Sequence, residues 1–228
     1  MTATALRLSR KFDAISGSLL IVSVACGLAY LVTRGLPPVA GSVVVKGLSV
    51  AALALLAFRA LRDRDGIALG VSLLFSSLGD VFLGLGDDRW FVFGLGSFLI
   101  AHLLYIGLFV RHWPTPFAAS LKQKLLAVGL IAFSLAMFAW LWPGLGDMKI
   151  AVAAYLCALI GMGVTATFAR FSGRLIVAGA LLFILSDSMI AVGKFKSPVA
   201  YSHYLIWATY YIAQLCIALG FIREKRQG

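Results

Sequence analysis

Two aspartates lie deep inside otherwise apolar stretches of this chain. Of the nine acidic residues, seven lie in polar segments or at the ends of apolar ones, whereas Asp80 and Asp187 lie well within them. An ionisable side chain at membrane depth costs at least about 2.5–3.5 kcal/mol, so each of these residues is a candidate for function. Two carboxyl groups in one site can act as acid and base, because one can hold a proton while the other stays ionised. The two aspartates therefore predict general acid–base chemistry.

Other polar side chains are predicted at a similar depth. With a rise of about 1.5 Å per helical residue, Asp80 and Asp187 each lie about 9 Å from the same face of the membrane. Lys46 and Tyr155 lie at nearly the same level, and His102 lies deeper. Further polar residues share helical faces with these or form a face of their own: Ser76, Ser77, Tyr105, His203, Trp207, Tyr210 and Gln214. We expect a polar cavity inside a helix bundle.

Most of these side chains also have a purely structural interpretation. Tyrosine and glutamine often hydrogen-bond between transmembrane helices without taking part in chemistry. His102 is equally consistent with a buried structural histidine. The two aspartates are the hardest to explain in this way, so the functional prediction depends on them.

The composition excludes a water-soluble domain and a disordered chain. Of 228 residues, 61% are hydrophobic and 13% are charged, and the mean hydropathy is +0.98. Soluble domains are nearer half apolar and a quarter charged, and disordered chains have the opposite composition. Cys26, Cys157 and Cys216 lie in apolar runs without C-x-x-C spacing, so neither a disulfide framework nor a zinc ribbon is indicated.

Eight apolar segments are each long enough to cross a bilayer as a helix, which takes about 20 residues. They predict an all-α fold, a polytopic membrane helix bundle that forms one integral membrane domain over residues 1–228. The predicted spans are 14–33, 39–59, 66–86, 91–110, 123–142, 149–169, 174–193 and 201–222. Arg7, Arg10 and Lys11 precede the first span, whose apolar run is too long for a signal peptide, so we interpret it as a retained helix.

The basic residues indicate how the spans are oriented. The chain has 20 Lys and Arg against 9 Asp and Glu, a formal net charge of +11. In a soluble protein this balance would suggest nucleic-acid binding. Here eight spans place fourteen basic residues on the side of the termini and five on the other. Because cytoplasmic loops collect Lys and Arg, we expect cytoplasmic termini, a bacterial inner-membrane location and no nucleic-acid partner.

Short motifs give less information. Residues 73–80 resemble residues 181–187, which is either the trace of a parallel 4+4 repeat or a chance match. The chain has no G-x-S-x-G nucleophile elbow, no H-E-x-x-H zinc motif and no Walker A loop. A serine hydrolase, a zincin and a P-loop enzyme are therefore not indicated.

A more specific pattern joins three of the spans. It consists of Leu78-Gly79-Asp80, Gly94 through His102-Leu103-Leu104-Tyr105, and Ser186-Asp187. With these motifs the chain resembles, over nearly its whole length, the YhhN-like family of eight-span membrane proteins, which includes the animal lysoplasmalogenases. The resemblance implies Asp80 and Asp187 as the catalytic pair. It implies as pocket residues Lys46, His102, Tyr155, Tyr211 and Gln214, to which we add Ser76, Tyr105 and Ser186 as substrate-binding candidates. In many members a proline follows the lysine of the second span, whereas here Gly47 does.

The reaction that the resemblance implies is hydrolysis of the vinyl ether bond of a lysoplasmalogen, a lysophospholipid that enters from the bilayer. A vinyl ether is protonated on its β-carbon, water captures the resulting oxocarbenium ion, and the hemiacetal collapses to a fatty aldehyde and a glycerophospho-base. Glycosidases divide similar work between two carboxyl groups. We expect Asp187 to be the acid and Asp80 the base, because Lys46 would keep a neighbouring carboxylate ionised. We expect no cofactor and no metal.

Two other functions stay open at this point. A proton-coupled transporter of small molecules or lipids would also need carboxylates near the middle of the membrane. A zinc-dependent lipid hydrolase would use Asp80, His102 and Asp187 as ligands, with His203 as a further candidate, although they lack a local signature spacing.

Overall fold

Eight long helices make up the described part of the chain. The computed structural model describes residues 13–33, 40–114, 117–197 and 200–227. The helices are α1 (Ala14–Thr33), α2 (Ala40–Ala60), α3 (Arg64–Gly84), α4 (Asp88–Val110), α5 (Leu121–Leu141), α6 (Lys149–Phe168), α7 (Leu175–Phe195) and α8 (Ser202–Gln227). All eight are long and apolar enough to cross a membrane, which confirms the predicted all-α fold and its eight spans. The protein is an integral multi-pass membrane protein.

The observed helix bounds follow the predicted spans closely, and local capping explains two of the shifts. α3 begins two residues early because the Asp63 side chain accepts a hydrogen bond from the Gly66 backbone N–H. α5 also begins two residues early, because Ser120 and Gln123 form a capping box. Arg7, Arg10 and Lys11, which precede the first predicted span, lie outside the described residues.

Ion pairs at the two ends of the bundle show that the helices alternate in direction. The terminal end, defined as the end that holds the start of α1 and the last turn of α8, contains these pairs: Asp13–Arg59, Asp65–Arg111, Asp65–His112 and Asp65–Lys225. They join the starts of α1 and α3 to the ends of α2, α4 and α8. At the opposite end, Lys194 of α7 pairs with Asp88 of α4. The ion pairs place the start of α1 and the last turn of α8 at the same end of the bundle, and that the termini are cytoplasmic stays a prediction.

Helices α7 and α8 pack closely because a glycine lies between them. A Cβ atom on Gly179 would lie 2.8 Å from the carbonyl oxygen of Ala213 and 2.8 Å from Ile217 Cγ1. Small residues allow such approach between membrane helices, where dispersion contacts rather than water provide the attraction. This contact holds α7, which carries Asp187, against α8.

Substitution of Gly179 by alanine is expected to lower the free energy of unfolding by about 1–3 kcal/mol, because the added methyl group overpacks the interface. Gly193, on the same helix, is the matched control, since a Cβ there meets nothing within 4 Å. Gly193→Ala is expected to be neutral or to stabilise by up to about 1 kcal/mol. Thermal unfolding in detergent measures both variants, and equal effects would contradict the packing argument.

Candidate active site

Asp80 and Lys46 form a buried ion pair between α3 and α2. Lys46 Nζ lies 3.3 Å from Asp80 Oδ1 and donates to the Asp80 carbonyl oxygen at 3.2 Å. Asp80 is 1% exposed and Lys46 9%. The second carboxylate oxygen, Oδ2, accepts a hydrogen bond from the Tyr210 hydroxyl of α8 at 2.6 Å. Lys46 also lies over the rings of Tyr30 and Trp207, at 5.9 and 5.8 Å from their centroids. The site therefore holds Asp80 against a fixed cation.

Asp187 has a different environment on α7. The Tyr155 hydroxyl of α6 donates to Asp187 Oδ2 at 2.5 Å. Among the described residues, no Lys, Arg or His nitrogen lies within ion-pair distance of Asp187. Asp187 is 9% exposed, so its carboxyl group is buried but can be reached. The two aspartates thus differ in one respect that matters for proton transfer, since within the described ranges Asp80 has a cation at ion-pair distance and Asp187 has none.

Both aspartates line one cavity, which we call the aspartate cavity. Its volume is about 40 Å³, which has room for about three water molecules at about 10–15 Å³ each. Its lining residues come from α1, α2, α3, α4, α7 and α8: Tyr30, Lys46, Asp80, Leu83, Phe98, Ser186, Asp187, Ile190, His203, Ile206, Trp207 and Tyr210. The predicted polar cavity inside the bundle is therefore present, and water is the ligand that its size suits.

A second cavity, the apolar groove, meets the aspartate cavity at Asp187. It lies between α4, α5, α6 and α7, with one residue from α3. Its lining residues are Leu83, Phe91, Leu95, Phe98, Met137, Phe138, Leu141, Val152, Tyr155, Leu156, Leu159, Asp187, Ser188, Ile190, Ala191 and Phe195. Four residues line both cavities: Leu83, Phe98, Asp187 and Ile190. Asp187 therefore faces a polar space on one side and an apolar one on the other.

Two of the predicted pocket residues, Tyr105 and Gln214, act on Asp80 through hydrogen bonds to Tyr210. The Tyr105 hydroxyl of α4 donates to Gln214 Oε1 at 2.9 Å. Gln214 Nε2 donates to the Tyr210 hydroxyl at 3.3 Å, and Tyr210 in turn donates to Asp80. Tyr105 and Gln214 line neither cavity. Their place is in a buried hydrogen-bond chain that fixes the Tyr210 hydroxyl.

His102 and Ser76 are fully buried, and in the described part of the chain the two His102 ring nitrogens have no hydrogen-bond partner, while the Ser76 side chain lies beside that of Tyr105. The His102 ring packs edge-on against Tyr155, with centroids 5.3 Å apart, and against Phe183 at 4.8 Å. It therefore contacts the tyrosine that binds Asp187, but it lines neither cavity.

The remaining two predicted site residues lie in different places. Ser186 lines the aspartate cavity, and its hydroxyl donates to the Ile206 carbonyl oxygen at 3.0 Å. Tyr211 lines neither cavity, because its hydroxyl bonds to Ser23 of α1 at 2.8 Å and its ring stacks on Trp207. A substrate-binding role for each stays a prediction.

Tyr210 is the main site residue that was absent from the predicted set. The sequence places His203, Trp207, Tyr210 and Gln214 on one helical face. In the structure His203, Trp207 and Tyr210 line the aspartate cavity, and Gln214 does not. That face was the available signal, since residues at i, i+4, i+7 and i+11 lie on one side of a helix. The predicted residue Tyr211 is the next residue in the sequence and lies on another side of α8.

No group of three or more His, Cys, Asp or Glu side chains is arranged to hold a metal ion within the ranges that the structure describes. Of the two histidines considered as zinc ligands, His102 packs among aromatic rings and His203 lines the aspartate cavity. The expectation that catalysis needs no metal or cofactor stays a prediction.

Comparison with known proteins gives the family of this chain. The sequence matches the YhhN family over residues 41–221, a range that contains Lys46, both aspartates and Tyr210. The chain belongs to the YhhN family. The resemblance seen in the three sequence motifs is thereby confirmed.

Curated relatives of this YhhN protein are named as enzymes. A protein of Mycobacterium bovis named lysoplasmalogenase is 37% identical over 153 residues, which cover 66% of this chain and 58% of the relative. Lysoplasmalogenase TMEM86A of Bos taurus is 35% identical over 164 residues, or 68% and 65%. Lysoplasmalogenase TMEM86B of Homo sapiens is 34% identical over 159 residues, or 67% and 62%. The matched part of the chain thus spans about three fifths of the length of these relatives. No solved structure matches the chain.

Proposed function

We propose that this protein is a membrane-embedded hydrolase that cleaves the vinyl ether bond of lysoplasmalogens. One observation supports this reaction most directly: Asp187 lies where a water-sized polar cavity meets an apolar groove. A lysoplasmalogen has its vinyl ether at the corresponding point, between an aliphatic chain and a polar glycerophospho group. The names of the relatives agree with this substrate.

Asp187 is the acid in this proposal. Among the described residues its carboxyl group has no cation within ion-pair distance, and a buried carboxyl without one favours the neutral form, which can donate a proton. The β-carbon of the vinyl ether belongs to the aliphatic chain, so a chain in the apolar groove brings that carbon to Asp187. Transfer of the proton forms the C–H bond and leaves an oxocarbenium ion. Tyr155 keeps the carboxyl group in place and stabilises the carboxylate that results.

Asp80 is the base. Lys46 favours its ionised form, and the Tyr210 hydroxyl orients it. As a water molecule in the aspartate cavity adds to the cationic carbon, Asp80 takes up its proton. The hemiacetal then breaks its C–O bond to the glycerol, as the hydroxyl proton passes to the leaving oxygen, and aldehyde and glycerophospho-base are released. Proton transfer from Asp80 to Asp187 through cavity water restores the starting state.

Location and substrate entry complete the proposal. The substrate enters from the surrounding bilayer, the protein lies in a bacterial inner membrane, and both termini are cytoplasmic. The ion pairs of the terminal end and the excess of basic residues on that side support this orientation.

Incubation of the purified protein with a lysoplasmalogen and with its saturated ether analogue tests the function. We expect fatty aldehyde from the first substrate only, because a saturated ether has no double bond to protonate. Aldehyde release that persists after treatment with a metal chelator would show that the reaction does not depend on zinc. Absence of aldehyde from the vinyl ether, with accumulation of intact lipid inside proteoliposomes, would contradict the proposal and favour a transporter.

A further inference from the structure

We propose that the apolar groove is the binding site for the aliphatic chain of the substrate, an inference that rests on the proposed function. The occupant is a single unbranched alkenyl chain, whose first carbons lie beside Asp187 and whose remainder extends toward the lipid. The groove would therefore fix which carbon meets the acid.

The chemistry of the lining supports an aliphatic occupant. Of the lining residues, Asp187 alone is charged, and Tyr155 and Ser188 are the other two with polar side-chain groups. Both polar groups are already satisfied, since Tyr155 donates to Asp187 and Ser188 donates to the Ile184 carbonyl oxygen at 2.7 Å. The groove therefore offers hydrocarbon contact along its length and one reactive carboxyl group at its junction with the aspartate cavity.

The packing of α5 provides a route into the groove. α5 supplies Met137, Phe138 and Leu141 to the lining. Its principal contacts with the rest of the bundle are to α6 and α7, and most of its surface is exposed. Because α5 is peripheral and closes one side of the groove, an alkenyl chain can enter sideways from the bilayer. The polar headgroup then does not have to pass between the helices.

The position of Asp187 links chain binding to catalysis. The groove has a volume of about 80 Å³, too little for a complete fatty chain, so the first part of the chain gains most from it. Because the same residue borders the aspartate cavity, a chain seated in the groove leaves its vinyl ether facing the water beside Asp80. Chain binding thus sets the register of the vinyl ether against the two carboxyl groups.

Inhibition by saturated 1-O-alkyl lysophospholipids with 8, 12 and 16 carbons tests the groove at constant detergent concentration. Ala191→Phe narrows it from α7, and Leu156→Trp narrows it from α6. We expect each variant to raise the inhibition constant of the 16-carbon lipid by at least about tenfold, the affinity that about two buried methylene groups provide. The 8- and 12-carbon lipids should lose affinity to a similar extent, because their first carbons occupy the same groove.

Ala136→Phe is the matched control, because Ala136 is exposed on α5 and does not line the groove. It is expected to leave the inhibition constants of all three lipids unchanged. If the parent releases aldehyde and both groove variants keep its inhibition constants while folded, the groove proposal is overturned and the proposed function stands. If the parent releases no aldehyde from any vinyl ether, the proposed function itself fails, and the groove inference fails with it.

Discussion

Asp187→Asn is expected to lower kcat for aldehyde release by about 10²–10⁴-fold, the usual contribution of a general acid or base. The amide has nearly the same shape as the carboxyl group and can still accept a hydrogen bond from Tyr155, but it cannot donate a proton to carbon. Asp80→Asn is expected to cause a loss of the same order, because the amide cannot take a proton from water. Aldehyde release from a lysoplasmalogen by purified protein measures both effects.

Two controls separate a loss of chemistry from a loss of structure. Asp147→Asn changes an exposed carboxylate between α5 and α6 and should keep parent activity. The inhibition constant of a saturated ether lipid should stay within about threefold of the parent value for Asp187→Asn, since the substitution leaves the apolar lining intact. Parent-like turnover by either Asp80→Asn or Asp187→Asn would contradict a mechanism with two carboxyl groups.

The number of helices was predictable because the bilayer sets it. About 20 apolar residues are needed to span the hydrocarbon core, and eight such segments can be read directly from the sequence. The end of α8 shows where this reasoning stops. The apolar run predicts an end at residue 222, whereas the helix continues to Gln227. Its last turns stay helical because Glu224 accepts hydrogen bonds from the Ser172 and Gly173 backbone, and Lys225 pairs with Asp65, contacts that hydropathy does not encode.

Depth and helical face predicted the centre of the site. Asp80, Asp187 and Lys46 were placed at one level from helix rise alone, and the structure brings Lys46 to Asp80 and both aspartates to one cavity. The partners of the carboxyl groups were harder to predict. Tyr210 and Tyr211 are neighbours in the sequence and point about 100° apart on the helix. The packing of α8 against α1 and α3 decides that Tyr210 meets Asp80 while Tyr211 meets Ser23.

The apolar groove could not be predicted from the sequence. Apart from Asp187, Tyr155 and Ser188, its lining residues are apolar residues on five helices, and each would serve equally well against lipid. Only the relative positions of α4, α5, α6 and α7 make them a groove. The proposed roles of Asp187 as acid and Asp80 as base depend on the groove. Asp187 lines it and Asp80 does not, a difference that adds to the ion pair of Asp80 with Lys46.

Lys46→Met is expected to lower the free energy of unfolding by about 3–5 kcal/mol, because it leaves Asp80 as a buried carboxylate without its cation. Aldehyde release should fall as well, since Asp80 then binds a proton and can no longer act as base. Unfolding in detergent and turnover of a lysoplasmalogen measure the two effects. Lys122→Met, at an exposed position at the start of α5, is the matched control and should change neither.

The double variant Lys46→Met with Asp80→Asn separates the role of the ion pair in stability from its role in chemistry. With neither charge present, most of the lost stability should return, because the cost of Lys46→Met is the unpaired charge and not the missing contact. Activity should not return, since the base is absent. Additive losses of stability in the double variant would show that Lys46 and Asp80 act independently, and Lys46 would then lose its assigned role of keeping Asp80 ionised.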